Sequence, residues 1–179
     1  KYSNLLNHPL AKITKYYNLL NHPLGKITKH YNLLNHPLAK ITKYFNLLNH
    51  PFAKIKKYYK NDIKDKKMLL MGVSYRQDVG DTRFSPSEVF FKEAISLGVH
   101  LVPFDPLVKY WDEMNIKIPK NIPNPKDFDI IVFTVQHKEF SSIEIDEWLV
   151  DFSGLVFDSN KVLSKDQIKR IKNKGNPFL

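Results

Sequence analysis

The sequence has 179 residues, 28 of them Lys or Arg and 18 Asp or Glu, and it contains no cysteine. Disulfide bonds, thiolate zinc sites and cysteine nucleophiles are therefore excluded. No apolar run approaches the roughly 18 residues that a membrane-spanning helix needs, so a soluble, cytoplasmic protein is expected.

The positive charge is confined to the first third of the chain. Residues 1–61 hold eleven lysines and no acidic residue, which leaves 28 − 11 = 17 basic groups against 18 acidic ones in residues 62–179. That nearly neutral remainder has the size of an ordinary domain. We therefore expect a domain over 62–179 and a separate basic segment over 1–61. Because the sequence begins with Lys1 rather than Met, a fragment is also expected.

A 14-residue repeat with an Asn-His-Pro sequence makes up the basic segment, and its four copies begin at Asn4, Asn18, Asn32 and Asn46. Between the prolines, apolar residues recur at the spacing of one helical face, which predicts helix. Each proline would end such a helix, so several short helices are predicted rather than one long one. Lysines interleaved with tyrosines suit nucleic acid or an anionic membrane. The alternative is that the segment is an expanded DNA repeat, translated in frame and without function. This alternative is favoured, because the tract shows no arrangement of side chains that would recognise a specific partner. The histidine spacing resembles no ligand set, and no metal is expected.

Short apolar runs alternate with amphipathic ones through the rest of the chain. The predicted strands are Lys67–Gly72, Val99–Phe104, Asp129–Val135 and Gly154–Asp158, and the predicted helices are Ser85–Leu97, Leu107–Met114, Ile145–Phe152 and Ser164–Lys174. This alternation predicts an α/β fold, a Rossmann-like doubly wound parallel sheet, preceded by the short-helix repeat segment. The uninterrupted apolar run at 129–135 is expected to be the central strand.

The first predicted helix has a distinct N-terminal signature. Ser85 is the expected N-cap, Pro86 fits the first helical position, and Glu88 would complete a Ser-x-x-Glu capping box. The residues expected on its buried face are Val89, Phe90, Ala94 and Ile95.

The loop from Gly72 to Pro86 joins the first strand to this helix, and α/β sheets bind nucleotides at such turns. It lacks the Gly-x-Gly-x-x-Gly fingerprint, so a standard NAD site is unsupported. Arg76 and Arg83 offer forked donors to phosphate, and Tyr75 could stack or form a hydrogen bond. The alternative is that Arg83 pairs with Asp81 or Asp78 and that Tyr75 packs against the sheet edge.

Polar residues also follow the other predicted strands. Asp105 could receive a ribose hydroxyl or merely shape a turn, and His137 with Glu139 could perform acid–base chemistry or lie solvated in a loop. Asn160 and Lys161 follow the fourth strand and are expected to reach the same cleft. No nucleophile, base and orienting group occur together, so no catalytic residue is assigned.

In these residues the chain resembles the C-terminal domain of the UDP-glucose/GDP-mannose dehydrogenase family, from about Lys66 to Lys174. The segments that carry the resemblance, in the family's order, are Gly72–Arg76, Asp81–Arg83 with Ser85–Pro86, Asp105–Val108, Val135–Phe140 and Asp158–Asn160 before Val162–Leu163.

The resemblance implies a Rossmann-like domain that binds the UDP part of a UDP-sugar, in a family that oxidises the sugar C6 alcohol twice with NAD. Arg76 stands where the family has a substrate-contacting lysine, and Lys161 stands where an Asn is expected. The substrate residues it implies are Tyr75, Arg76, Arg83, Asn160 and Lys161.

The sequence holds neither the family's Gly-x-Gly-x-x-Gly turn nor its catalytic cysteine. The resemblance therefore implies a truncated nucleotide-sugar 6-dehydrogenase, inactive alone, with NAD and homo-oligomer formation belonging to the full-length family. A non-enzymatic repeat protein that binds nucleic acid or membrane, or a pseudogene product, is the alternative.

Overall fold

The computed structural model describes residues 52–179. The first three repeat copies with their predicted helices, and the five repeat histidines, lie outside the described residues. The chain divides into two compact units, Lys1–Asn49 and His50–Leu179. The fold below is that of the second unit.

The described elements are helices and strands, but a pair of short strands and a pair of consecutive short helices interrupt the alternation that the sequence predicted. In chain order they are α1, whose described part is residues 52–58, β1 (Lys67–Met71), α2 (Pro86–Ser96), β2 (His100–Phe104), β3 (Tyr110–Trp111), β4 (Ile116–Lys117), β5 (Ile130–Phe133), α3 (Lys138–Ser141), α4 (Ile145–Trp148), β6 (Leu155–Asp158) and α5 (Lys165–Asn173).

Four of these strands form one parallel sheet in the order β2-β1-β5-β6. Leu69 of β1 is paired with Val102 on one side and with Ile131 on the other. The strands β1 and β5 are interior, and every residue of β5 is buried. The α/β Rossmann-like prediction is therefore confirmed, and β5 shares the centre of the sheet with β1.

The order of the strands reverses between β1 and β5. From β1 the chain continues outward to β2, and the later strands β5 and β6 lie on the opposite side. In open α/β sheets, ligands bind outside the carboxyl ends of the strands at such a switch point. The loops that follow β1, β2, β5 and β6 therefore surround the expected site.

Helix α2 begins as predicted but differs in its capping and its buried face. The Ser85 hydroxyl accepts the Ser87 N–H at 3.2 Å and Pro86 opens the helix. The capping-box prediction is wrong, because the Glu88 carboxylate pairs with Lys92 at 2.6 Å instead. Val89 and Ile95 are 36% and 46% exposed, because the buried stripe is narrow and consists of Ser87, Phe90 and Ala94.

The prediction of a helix over Leu107–Met114 is wrong. This segment contains β3, a short 3-10 turn over Asp112–Met114 and the start of a hairpin with β4. Asn115 makes the reversal with a φ of 55°, and Trp111 is fully buried with its ring 5.4 Å from that of Phe91. Burial of the indole in an extended pair outweighs the local helical pattern. The helix predicted over Ile145–Phe152 shortens to α4.

The helix predicted over Ser164–Lys174 is α5, which starts with a full capping box between Ser164 and Gln167. Beyond it, Leu179 donates to the Val156 carbonyl at 3.0 Å, and the last residues run parallel to β6. Within residues 52–179, no helix combines the length and apolarity that a membrane crossing requires.

The fourth repeat copy contributes to the core of this unit. Phe52 and Ile55 of α1 are fully buried, and the Phe52 ring lies 5.1 Å from the Phe90 ring of α2. Phe52 replaces the leucine found at the same place in the first three copies, Leu10, Leu24 and Leu38. Phe52 and Ile55 belong to the compact unit His50–Leu179, and they precede the domain predicted over 62–179.

Candidate functional site

A buried carboxylate joins the ends of β1 and β2. Asp105, 2% exposed, accepts the Val73 N–H at 2.8 Å, the Ser74 N–H at 3.0 Å and the Ser74 hydroxyl at 2.8 Å, all through Oδ2. Its Oδ1 accepts the Leu107 N–H at 3.0 Å. Both carboxylate oxygens of Asp105 therefore accept hydrogen bonds from the protein itself, and the buried side chain is not accessible to a ribose hydroxyl.

The surroundings of Asp105 favour the charged form. Burial alone would raise its pKa, but hydrogen bonds from His137, Leu107 and Val73 outweigh that effect and lower the pKa. A negative charge thus lies directly behind the Val73 and Ser74 N–H groups of the β1–α2 loop. A second anion at the base of this loop would be repelled.

His137 fills the switch point between β1 and β5, with its side chain fully buried. Its Nδ1 accepts the Asp78 N–H at 3.0 Å, and its Nε2 lies 3.1 Å from Asp105 Oδ2. Because Nδ1 is an acceptor, the ring proton is on Nε2 and is donated to Asp105. The ring is therefore inaccessible to substrate, and its geometry gives no support to the acid–base role considered from the sequence.

Asp78 completes a reciprocal pair with the segment that follows β5. Its N–H donates to His137, and its Oδ1 accepts the Lys138 N–H at 3.0 Å. The latter bond is the main cause of a lowered Asp78 pKa. Asp78 has a φ of 56°, which turns both groups toward α3. The middle of the loop is therefore fixed although it is exposed.

The same region contains a group of three side chains that could be considered for a cation. Ligand atoms of Asp78, His137 and Glu139 lie within 4.8 Å of one another. However, the Nδ1 lone pair of His137 already accepts the Asp78 N–H. A metal ion would have to break the bond that orders the loop, so the arrangement favours a structural role.

The predicted residues Tyr75 and Arg76 form the exposed tip of the loop. The tyrosine is 52% exposed. Within residues 52–179, neither side chain makes a hydrogen bond or an ion pair, although the charge of Arg76 helps to lower the Asp81 pKa. Both side chains are available to a ligand.

Arg83 is engaged by its neighbour Asp81, as in one of the two alternatives considered from the sequence. Its Nε donates to Asp81 Oδ1 at 3.0 Å and its Nη2 to Oδ2 at 2.7 Å. These bonds lower the pKa of Asp81 to about 2. The guanidinium would have to exchange this carboxylate for a phosphate to bind a nucleotide.

Asn160 and Lys161 lie in the loop after β6, which is fastened to the loop after β5. The Asn160 side-chain NH₂ donates to the Thr134 carbonyl at 3.1 Å, and the Gln136 side chain donates to the Lys161 carbonyl at 3.1 Å. Lys161 has a φ of 55° and is exposed. Within the described part of the chain, no hydrogen bond or ion pair holds its ammonium group.

All five predicted residues therefore lie at one edge of the sheet. Neighbouring strands are separated by about 4.8 Å, so the ends of β1 and β6, two strands apart, are about 10 Å from each other. Arg76 and Lys161 belong to the loops that follow β1 and β6, the two strands on either side of β5. One extended ligand with two anionic groups could contact both.

Sequence reasoning missed the contacts that Asp78 makes with His137 and that Ser74 makes with Asp105. The bond from Asp78 to His137 spans 59 residues, and those from Ser74 to Asp105 span 31. No local sequence pattern indicates contacts between residues so far apart in the chain. The only sequence signal is that Asp105 and His137 each follow a buried strand.

The β1–α2 turn does not fit the pyrophosphate of NAD. Its Gly72 N–H donates to the Phe104 carbonyl, and its Val73 and Ser74 N–H groups donate to Asp105. Gly72 is needed for packing, since a Cβ there would lie 2.6 Å from Val135 Cβ. The described residues thus offer no dinucleotide cradle at this turn.

Comparison with known proteins places this region in a family. The sequence model of the UDP-glucose/GDP-mannose dehydrogenase family, UDP binding domain, matches residues 69–165, more than half of the chain. The UDP-glucose 6-dehydrogenase of Rickettsia conorii is 25% identical over 118 residues, covering 62% of this chain and 27% of that protein. That of Rickettsia bellii is 23% identical over 120 residues, with the same coverage of each chain.

Solved structures with the same fold include the UDP-D-ManNAc dehydrogenase from Pyrococcus horikoshii, with a TM-score of 0.57, 16% identity and coverage of 86% of this chain and 34% of that one. The NDP-N-acetyl-D-galactosaminuronic acid dehydrogenase from Methanosarcina mazei Go1 has a TM-score of 0.59, 19% identity and coverage of 86% and 33%. The chain thus spans about a quarter of the length of the curated relatives it matches.

Proposed function

The chain belongs to the UDP-glucose/GDP-mannose dehydrogenase family through its UDP-binding domain, and from this premise we propose that residues 52–179 bind the UDP part of a UDP-sugar. The observation that carries the proposal is the position of Arg76. Its guanidinium is exposed and uncommitted within the described residues, while the loop beneath it is fixed by Asp78 and Asp105. A cation on an ordered loop loses little conformational entropy on binding an anion.

Each residue of the proposed site has a distinct task. Arg76 and Lys161 contact the two phosphates from opposite sides, and Tyr75 stacks on the uracil. Asn160 keeps its side-chain NH₂ on Thr134 and offers its Oδ1 to a ligand hydroxyl or N–H. Arg83 contributes by exchanging Asp81 for a phosphate oxygen.

This chain would supply the substrate-binding part of an NAD-dependent nucleotide-sugar 6-dehydrogenase, which converts a UDP-hexose to a UDP-hexuronate in the cytoplasm. It would not carry out the oxidation alone, because it has no cysteine nucleophile and its β1–α2 turn does not fit NAD. Homo-oligomer formation, on this proposal, belongs to the full-length family.

Titration of the whole chain with UDP, followed by calorimetry or by amide NMR shifts, tests the binding claim. Arg76→Ala should weaken binding by about tenfold to a hundredfold, because a charge-assisted hydrogen bond contributes about 1.5–3 kcal/mol. Lys161→Ala should weaken it similarly. Lys126→Ala is the matched control, since Lys126 is exposed in the turn over Pro125–Asp127 that precedes β5, at the opposite edge of the sheet.

Two outcomes would overturn the proposal. One is the absence of binding at millimolar UDP by a chain whose amide spectrum shows it to be folded. The other is an equal loss of affinity in Arg76→Ala and Lys126→Ala, which would show attraction by net charge rather than a site.

A further inference from the structure

His137 connects three strand-end loops of the sheet. Its Nε2 contacts Asp105 after β2, its Nδ1 contacts Asp78 after β1, and the residue itself follows β5. The ring is also packed edge-on against Phe140, with the centroids 5.6 Å apart. The His137 and Asp105 side chains are both fully buried, and the neutral imidazole donates its Nε2 proton to the carboxylate.

The two ring nitrogens have different tasks. The Nε2 bond joins two buried groups at 3.1 Å, and its carboxylate partner also holds Val73 and Ser74. The Nδ1 bond reaches the backbone of Asp78, two residues beyond Arg76 in an exposed part of the loop. The first bond therefore stabilises the fold, while the second fixes the path of the loop.

We propose that His137 is a positioning residue for nucleotide binding, which through its Nδ1 bond to the Asp78 N–H holds the loop so that Arg76 faces the ligand. This inference rests on the proposed function. His137 never touches the ligand itself. The bond from the Lys138 N–H to Asp78 Oδ1 tethers the same residue, but only the imidazole holds its backbone.

Two substitutions separate the two nitrogens. His137→Asn places an amide oxygen near the position of Nδ1 and can still accept the Asp78 N–H, but it is too short to reach Asp105. His137→Gln places an amide nitrogen near the position of Nε2 and can still donate to Asp105, but it leaves Asp78 without its acceptor.

The expected losses of stability and of affinity run in opposite orders. His137→Asn should be the less stable variant in urea unfolding, because it leaves a buried carboxylate with one donor fewer. His137→Gln should be the weaker binder, with UDP affinity about tenfold below wild type, whereas His137→Asn should stay within about twofold. If His137 only stabilised the fold, affinity would follow stability instead.

Amide hydrogen exchange of Asp78 without ligand distinguishes failure of this inference from failure of the proposed function. The amide hydrogen of Asp78 should exchange faster in His137→Gln than in His137→Asn. Equal exchange in the two variants, or UDP affinities in the order of their stabilities, would overturn the positioning role. Absence of UDP binding by the wild-type chain would overturn the proposed function, and with it the binding part of this inference.

A measurement on the wild-type chain needs neither variant to fold. The ¹⁵N spectrum of the His137 ring should show a protonated Nε2 and an unprotonated Nδ1, the tautomer that the Asp78 bond requires. A protonated Nδ1 could not accept the Asp78 N–H, and finding it would refute the proposed connection.

Discussion

The carboxylate of Asp105 and the imidazole of His137 lie 3.1 Å apart, and both side chains are fully buried. This contact joins the loops that follow β2 and β5 beneath the β1 loop that carries Arg76. The imidazole is neutral with its proton on Nε2, so the contact is a hydrogen bond to a charged carboxylate. Removing either residue leaves a buried polar group of the other without this partner, so each single substitution is expected to be destabilising.

Asp105→Ala should lower the free energy of unfolding by about 3–5 kcal/mol, because it leaves Val73, Ser74 and His137 without a buried acceptor. Urea unfolding measures the change. Asp151→Ala is the control, since Asp151 is exposed and makes no side-chain hydrogen bond within residues 52–179. A loss below 1 kcal/mol for Asp105→Ala would show that water replaces the carboxylate at this site.

The lowered pKa of Asp105 predicts an acid-sensitive contribution to stability. A carboxyl group whose folded pKa lies below its unfolded value of about 3.9 contributes stability above that pH. The contribution is lost as the pH falls through the folded pKa. Asp105→Asn, which does not titrate, should therefore lack this part of the pH dependence.

The measurement is the difference in unfolding free energy between wild type and Asp105→Asn from pH 6 to pH 2. We expect a constant difference above about pH 5 and a shrinking one toward pH 2. The subtraction removes the contributions of the other carboxyl groups. A difference that stays constant over the whole range would contradict the lowered pKa.

Gly72→Ala should destabilise the fold by about 3 kcal/mol, for two reasons. Gly72 has a φ of 104°, and a Cβ there would lie 2.6 Å from Val135 Cβ and 2.8 Å from the Val135 nitrogen. Gly175→Ala is a matched control, because Gly175 has a φ of 84° with nothing within 4 Å of the added atom. It should cost about 1 kcal/mol. Equal losses would mean that the packing against Val135 is unimportant.

The strands and the ends of the larger helices could be predicted from the sequence because they depend on local patterns. The apolar run at 130–133 forms a strand that is buried on both faces of the sheet. Ser85 and Pro86, followed by apolar residues at helical spacing, mark the start of α2. The same reasoning failed at Trp111, whose indole needs a buried position that only a hairpin provides. Tertiary burial there outweighs local propensity.

The sequence predicts where the candidate site lies, but it does not predict the hydrogen bonds that connect its loops. Sequence order alone puts the loops after β1, β5 and β6 at one edge of the sheet, which located Arg76 and Lys161. The bond between Asp78 and His137 depends on a left-handed backbone at Asp78 and on a partner 59 residues away. Neither condition leaves a signal in the local spacing of residues.

Phe52→Ala should lower the free energy of unfolding by about 3 kcal/mol or more, because Phe52 is fully buried against Phe90. Val150→Ala, at a site that is 67% exposed, should change it by less than about 0.5 kcal/mol. Thermal or urea unfolding gives both values. If Phe52→Ala behaves like the control, α1 is dispensable and the domain starts near Asp62, as the charge pattern suggested.

The ion pair between Arg83 and Asp81 offers a direct test of whether Arg83 enters the ligand site. In the free protein the hydrogen bonds from Arg83 lower the pKa of Asp81 to about 2, and Arg83→Ala should return it toward the ordinary value of about 3.9. Carboxyl ¹³C shifts in an acid titration report this pKa.

When UDP binds, phosphate should compete with Asp81 for the guanidinium, and the Asp81 pKa should then rise toward its ordinary value. The titration is repeated with UDP at a saturating concentration, and Lys161→Ala at the same UDP concentration serves as the control with little ligand bound, because Lys161, unlike Arg76, does not contribute to the lowered Asp81 pKa. An Asp81 pKa that stays at its free value in the saturated wild type would mean that Arg83 remains with Asp81. In that case Arg76 and Lys161 alone would supply the cations of the site.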